Sequence, residues 1–417
     1  MAGKEAIELF LTFLKVGAFT LGGGYAMVPI MEREVVDKHE WLSREDFLNI
    51  LAVSQAMPGL FAMNMASHIG HKRFGVWGGV VGTMGVALPS IVAILLIAMF
   101  FQQFKENIYV EKAFRGIRPA VVALIAGPVF TMARSARITL RTLWIPVVAC
   151  LLIWALGVSP IYVILAAGVG GYLYGRIHPT TSSQSHPTAH SQGGGEANPQ
   201  NKKLHSSILP LFLLGLPLLA RGAGGGLVLF LRLFLTFSKI GIFNFGGGYA
   251  MLSLIQNEVV EKQHWLSNAE FTDIVAISQG TPGPIGINCA TYVGYTAVIN
   301  DGMPQWAGVL GAILASLSVI WLPFLLMLLV SRFLLKHHDS KPVRDVFSGL
   351  RPAIVGLIAA ASLLLMTSDN FSSPSESPFA FIVSIVIFLL AFVGTRLYKV
   401  HPILMIVLCG LAGLIIY

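Results

Sequence analysis

The chain has 417 residues, 55% of them hydrophobic and only 12% charged, with a mean hydropathy of +0.74; this excludes an ordinary soluble domain and indicates an all-α polytopic membrane protein. The net charge of +8 comes from Lys and Arg scattered between apolar segments, so it reads as the positive bias of cytoplasmic loops and excludes a nucleic-acid-binding surface. Cys150, Cys289 and Cys409 lie in apolar segments without C-x-x-C or Cys/His spacing, which gives neither a disulfide framework nor a metal site, and no cofactor is expected.

The first segment, "MAGKEAIELFLTFLK", shows no small-residue cleavage pattern and is expected to stay in the mature protein. Glu8, Thr12 and Lys15 share one helical face. A Lys near the bilayer centre costs roughly 2.5–3.5 kcal/mol, so Lys15 reads as functional; the alternatives are a snorkelling side chain or a structural pair with a loop carboxylate. Next comes "FTLGGGYAMVPI", with Gly22, Gly23 and Gly24 inside an apolar run. The following loop carries Glu34 and Trp41, read as a loop-folding carboxylate and an interfacial aromatic.

A second interruption, "SQAMPGLFAMN", places Pro58 and Gly59 inside the next apolar segment. After it, Asn64, Ser67, His68 and His71 share a face that can line a path or simply pack, and the two histidines can carry protons or lie at a surface beside Lys72 and Arg73. "VWGGVVGTMGVALPSIVAILLIAMFF", Val76 to Phe101, is one of about twelve or thirteen stretches that meet the roughly 20 residues needed to cross a bilayer. Arg118 opens "RPAVVALIA", where it can bind an oxyanion bidentately or anchor the helix at the headgroups.

"HPTTSSQSHPTAHSQGGGEANPQNKK", His178 to Lys203, has almost nothing apolar to bury and reads as a disordered linker. Its three histidines could hold a metal only adventitiously. Beyond it the chain repeats itself: Thr12 to Lys72 aligns with Thr236 to Thr296 without a gap, with close to half the positions identical. Lys239, Gly246, Gly247, Gly248, Glu258, Trp265, Pro282, Gly283 and Asn288 are the counterparts, and Arg351 repeats Arg118. Pro284 follows Gly283 at once, well placed for the first turn of a new helix, and Thr291, Tyr292 and Tyr295 continue the Asn288 face. The expected units are a first half at 1–175, a linker at 176–205 and a second half at 206–417, with the repeat proper from about 227.

Orientation turns on Ser206 to Gly226, which has no counterpart in the first half. If it crosses the membrane the halves are inverted, and Lys and Arg fall on one side by roughly two to one; if not, the best bias is about three to two. Inverted repeats with interrupted helices are favoured, a recurring plan of secondary transporters.

Each Gly within a helix costs roughly 1 kcal/mol relative to Ala, and a break at membrane depth must be covered by protein or a water-filled cavity. Close helix packing is the bland alternative. A helix starting at the Pro-Gly break aims free N–H groups and its positive dipole end into the protein, where they suit an anion. Lys15 and Lys239 would add charge, and Asn64 and Asn288 would add shape.

These motifs together resemble the chromate ion transporter family in its long, two-domain form. The resemblance rests on the duplicated "GGGYAM", the Trp of "HEWLS" and "QHWLS", "PGL" against "PGP" and the paired "RPA" segments, and it covers nearly the whole chain. It implies bacterial cytoplasmic-membrane proteins that export chromate and confer resistance. The family's glycine motif falls on Gly22 to Gly24 and Gly246 to Gly248, and its Pro-Gly-Pro motif on Pro282 to Pro284. The first half departs with Leu60 after Gly59, so equal roles for the halves do not follow.

The function expected is export of chromate or a similar tetrahedral dianion by a secondary transporter, not an enzyme. No phosphate loop for ATP is present. The expected partners are the oxyanion and the lipid bilayer, with a homodimer left open. The rivals are sulfate uptake, a passive anion channel and a membrane reductase. For the reductase Cys289 is the suggestive residue, but no haem, flavin or Fe–S motif accompanies it.

Overall fold

The computed structural model describes residues 3–20, 27–104, 107–136, 138–140, 142–177, 224–245, 247–337 and 340–417. The linker, most of Ser206 to Gly226, Gly22 to Gly24 and Gly246 lie outside the described residues. Every regular element among the described residues is helical. Among the described residues five helices are long and apolar enough to span a bilayer, and two further apolar helices, Trp144–Trp154 and Pro402–Ile416, are shorter.

The first half begins with α1 (Gly3–Phe19), which buries Leu9, Phe13 and Val16. After the glycine segment come α2 (Val28–Glu32), a π-helical turn (Arg33–Lys38) and α3 (Arg44–Ala56). Ser43 caps α3 by accepting from the Asp46 N–H at 3.1 Å. The loop leaves its π turn through Glu40 at φ +49°, and the Trp41 N–H donates to Val35 O at 2.8 Å.

The long element α4 (Phe61–Phe104) doubles back at Phe74 and Gly75, where Gly75 takes φ +67°. Its two arms lie against each other with Gly70 on Gly78 and Gly82 on the Ala66 carbonyl. The helix expected from Val76 to Phe101 is therefore the second arm of a hairpin whose first arm carries Asn64 and His68. Then come α5 (Ile108–Ser135), α6 (Trp144–Trp154) and α7 (Pro160–Ile177).

The second half repeats this order. It runs α8 (Gly224–Ile242), α9 (Ala250–Gln256), a π turn (Asn257–Lys262), α10 (Asn268–Gly280), α11 (Ile285–Asn300) and α12 (Gln305–His337). Ser267 and Glu270 close a capping box on α10, and His264 takes φ +51° before Trp265, the same loop fold as in the first half. α11 and α12 form the hairpin, turning at Gly302 with φ +82° and meeting at Gly294 and Gly311. α13 (Lys341–Leu364), α14 (Ser368–Phe371), α15 (Pro378–Arg396) and α16 (Pro402–Ile416) complete the chain.

The halves exchange partners. α5 packs on α15 and α16, whereas α13 packs on α6 and α7. The contacts correspond: Gly116 faces Gly413 and the Cys409 carbonyl, and Gly349 faces Gly171 and the Ala167 carbonyl. Between membrane helices lipid removes most of the hydrophobic drive, so close backbone approach at small residues does the holding. α1 and α8 follow the same rule, Gly17 resting on the Val86 carbonyl and Gly241 on the Val319 carbonyl.

Candidate substrate site

The Pro-Gly breaks meet, across the halves, the residues that lead into the glycine motifs. Gly283 donates its N–H to Thr20 O at 2.9 Å, and Gly59 donates to Asn244 O at 2.7 Å. Thr20 and Asn244 are counterparts, as are Gly59 and Gly283, so each half's Pro-Gly break is hydrogen-bonded to the segment just before the other half's glycine motif. The Asn244 side chain adds a bond, Nδ2 to Gly59 O at 3.0 Å.

Glycine is required at both crossings. Gly59 has φ +109° and Gly283 φ +93°. A Cβ on Gly59 would collide with the Pro323 side chain, and one on Gly283 with Ser90. Each break thus also rests on the proline-bearing helix of the opposite hairpin, since Pro89 precedes Ser90.

Asn64 and Asn288 hold the breaks in shape. Asn64 Nδ2 donates to Pro58 O at 3.0 Å, and Asn288 Nδ2 to Pro282 O at 3.3 Å and Thr281 Oγ1 at 3.1 Å. The Asn288 Oδ1 accepts from Ser90 Oγ. Both side chains are buried and satisfy backbone that the break releases from helical bonding. Pro284 stands at the N-cap of α11, whose start touches both halves: a Cβ on Gly286 would meet Leu60 of the first and Met251 of the second, while Gly248 faces Ile285 and Gly247 takes φ +94°. The N-terminus of α11 therefore lies where residues of both halves meet, with the Ile287 and Asn288 N–H groups turned back onto Pro284 O.

Buried polar atoms without partners cluster near the breaks. Ser54 Oγ, Ser67 Oγ, Asn244 Oδ1 and both amide atoms of Gln279 are in this state. A void lined by Leu60, Asn64, Ser67, Thr83 and Pro323 lies beside them, too tight for a water molecule. On α11, Thr291 Oγ1 lies 2.7 Å from Ser316 Oγ and buried Tyr295 lies against Gly308, both within its own hairpin, while buried Tyr292 meets the Phe101 ring of the other half edge-on. Cys289 is buried with its Sγ 3.9 Å from Ser278 Oγ.

The lysines have a different partner from the one expected. Lys15 Nζ lies 2.6 Å from Glu34 Oε1, and Lys38 Nζ 3.2 Å from Glu34 Oε2. Glu258 is likewise paired with Lys239 and, at 2.7 Å, with Lys262. Glu34 and Glu258 are buried, so two ammonium groups balance each carboxylate; this is the loop-carboxylate alternative, and it explains why Lys and Glu recur together. The hydrogen bond from Lys15, aided by Lys38, holds the Glu34 carboxyl below the usual carboxylate range against the opposing effect of burial.

Arg118 is committed as well, by Nε to Asp273 Oδ1 at 2.7 Å and Nη2 to Asp273 Oδ2 at 2.8 Å. This fork joins α5 of one half to α10 of the other. Neither outcome weighed for Arg118, an oxyanion or the headgroups, includes this carboxylate. Arg351 differs: it is exposed and has no ion pair or hydrogen bond among the described residues. A separate cleft of about 500 Å³, lined by Arg232, His264, Trp265, Asn300 and Asp301, lies along α8 away from the breaks.

Thr20, Asn244, Ser90, Asp273 and Gln279 were not singled out from sequence. Thr20 and Asn244 sit two residues before each glycine triplet, and Asp273 is a carboxylate within an apolar run; those signals were present.

A family model described as "Chromate transporter" matches residues 7–172 and 231–414, one match to each half. A chromate transport protein of Pseudomonas aeruginosa is 27% identical, over 98% of this chain and 92% of its own length. An uncharacterised transporter of Methanocaldococcus jannaschii is also 27% identical, over 98% and 93% respectively. An uncharacterised transporter of Bacillus subtilis is 30% identical, over 41% of this chain and 79% of its own length. No solved structure matches the chain. Two matches to one family model, on two halves whose broken helices interlock within a multi-pass helical bundle, lead to one conclusion: the chain is a membrane transporter belonging to the chromate transporter family.

Proposed function

We propose that the protein exports chromate, a tetrahedral dianion, from the cytoplasm and so confers chromate resistance. The observation that carries this reading is the reciprocal docking of the breaks, Gly59 on Asn244 and Gly283 on Thr20. Interrupted helices meeting between two repeats, near the bilayer midplane, supply backbone N–H groups and helix ends to a substrate without a cofactor. The halves, 1–175 and 206–417 about a linker at 176–205, are inverted in this proposal.

The substrate region comprises Gly22 to Gly24, Gly246 to Gly248, Pro58, Gly59, Pro282, Gly283 and Pro284, with Asn64 and Asn288 fixing their shape. Among the described residues the lysines and Arg118 serve carboxylates, which leaves Arg351 as the cation of the proposed set without one. A dianion leaving a cell with a negative interior gains about twice the roughly 2.3 kcal/mol per charge per 100 mV, so the membrane potential alone favours export.

Accumulation of radiolabelled chromate in everted membrane vesicles, with and without an imposed potential and with excess sulfate, tests the reading. Saturable, potential-dependent accumulation is expected. No accumulation, together with sulfate uptake by whole cells, would reverse both direction and substrate.

A further inference from the structure

The two halves differ where pseudo-symmetry predicts the same contact. On one face α5 lies along α10, with the Arg118 guanidinium forked on Asp273 and the Asn370 Nδ2 donating to Thr272 Oγ1 at 2.9 Å. Thr272, Asp273, Ala276 and Gln279 are all buried there. The counterparts on the other face are α13 and α3, with Arg351 for Arg118, Asn49 for Asp273 and Gln55 for Gln279.

That second face is open. α13 packs on α9, and its Val343 joins a cluster made by Val53 and Met57 of α3 with Met327 of α12, while Asn49, Ala52, Gln55 and Arg351 remain exposed. Arg351 stands ten residues into α13, about 15 Å along the helix. Arg351 thus falls near the middle of a candidate span, where lipid is a poor neighbour for a guanidinium and water or an anion a better one.

Closing α13 over α3 as α5 closes over α10 would press a guanidinium against a neutral amide. Asp273 supplies the anion on one face, and Asn49 cannot on the other. A buried cation without a counter-ion opposes closure, so this face needs an anion from outside the chain. We propose that a tetrahedral oxyanion held by Arg351, with Asn49 and Gln55 donating to its remaining oxygens, takes the place of the missing carboxylate and permits this face to close. Guanidinium forks suit two oxygens of such an ion as they suit a carboxylate. Closure then follows loading, which is what a carrier requires, and the idea rests on the transport reading given above.

The test uses the full chain in proteoliposomes with Ala52→Cys, an exposed position on the same face that holds no part of the ion, and Cys150→Ser, labelled by a membrane-impermeant maleimide. Molybdate, a tetrahedral dianion that does not oxidise thiols, is the probe. Saturating molybdate is expected to slow labelling about tenfold, Arg351→Gln to abolish that protection, and Arg351→Lys to keep part of it. Adding Asn49→Asp is expected to slow labelling without any oxyanion, because the chain then carries its own counter-ion. Labelling indifferent to molybdate, or an Asn49→Asp protein as open as its parent, overturns the proposal. Oxyanion accumulation by the same vesicles separates the two failures: accumulation with indifferent labelling removes only the gate, and no accumulation removes the transport reading itself.

Discussion

Asn244 grips Gly59 twice, accepting its N–H at the backbone carbonyl and donating from its side-chain amide to the Gly59 carbonyl. The counterpart pair, Thr20 and Gly283, has the backbone bond, while the Thr20 hydroxyl turns back to Val16 O at 2.6 Å. The Gly59 crossing therefore carries a side-chain bond that the Gly283 crossing lacks. Asn244→Thr should equalise the two and cost about 1–2 kcal/mol, since it leaves a buried carbonyl short of a donor. Thermal unfolding of the purified protein in detergent checks this, and a shift no larger than that of an exposed control substitution would remove the grip from the account.

Gly59→Ala and Gly283→Ala should each be more severe. Both positions need a positive φ, worth about 1–3 kcal/mol to a residue with a Cβ, and the new methyl also strikes Pro323 or Ser90. Gly283→Ala paired with Ser90→Gly should recover part of the loss, because it removes the atom struck while leaving the backbone strain. Expression yield and melting temperature are the readouts.

The duplication was legible because Thr12 to Lys72 and Thr236 to Thr296 align without a gap, and the breaks because each is written within a few residues. The crossing of the breaks was not, because it joins Thr20 to Gly283 and Gly59 to Asn244 across the whole chain, and no local pattern encodes such a pairing. The hairpin inside α4 was hidden for another reason: Gly75 is one of several glycines in an apolar stretch, and only its φ separates a turn from close packing. Which carboxylate the lysines meet was not legible, because membrane insertion cost, taken alone, marks Lys15 as functional without naming its partner. Its carboxylate sits on a π turn, where helical spacing does not predict which side chains reach back toward α1.

The Arg118–Asp273 fork should behave as a buried pair. Asp273→Asn alone should destabilise by about 3–5 kcal/mol, because it strands a guanidinium between packed helices, whereas Arg118→Met with Asp273→Leu should cost far less. A double-mutant cycle on chemical denaturation measures the coupling. If the single and double substitutions are equally mild, the fork is wet and loose.

Glu34 makes stability pH-dependent in a stated direction. Its folded pKa lies below the ordinary 4.5, so the stabilisation is complete above that value and is lost as pH falls through the folded pKa. The effect is modest, about 1 kcal/mol or less, because Lys15 is 42% exposed and solvent screens the pair. Wild type should lose more melting temperature between pH 6 and pH 3 than Glu34→Gln does. Parallel curves for the two proteins would contradict the assignment.

Lys239→Ala distinguishes a structural lysine from a substrate ligand. With Lys239 removed, the buried Glu258 keeps Lys262 but loses half its compensation, so the expected damage is to folding yield and stability. Adding Glu258→Gln should then restore much of the yield, because the charge that needed the lysine is gone. A lysine that held the transported dianion would behave differently: KM for chromate would rise many-fold in Lys239→Ala and stay high in the double variant whatever its yield. Vesicle transport normalised to folded protein separates the cases, and an uncorrected rise in KM would return Lys239 to the substrate path.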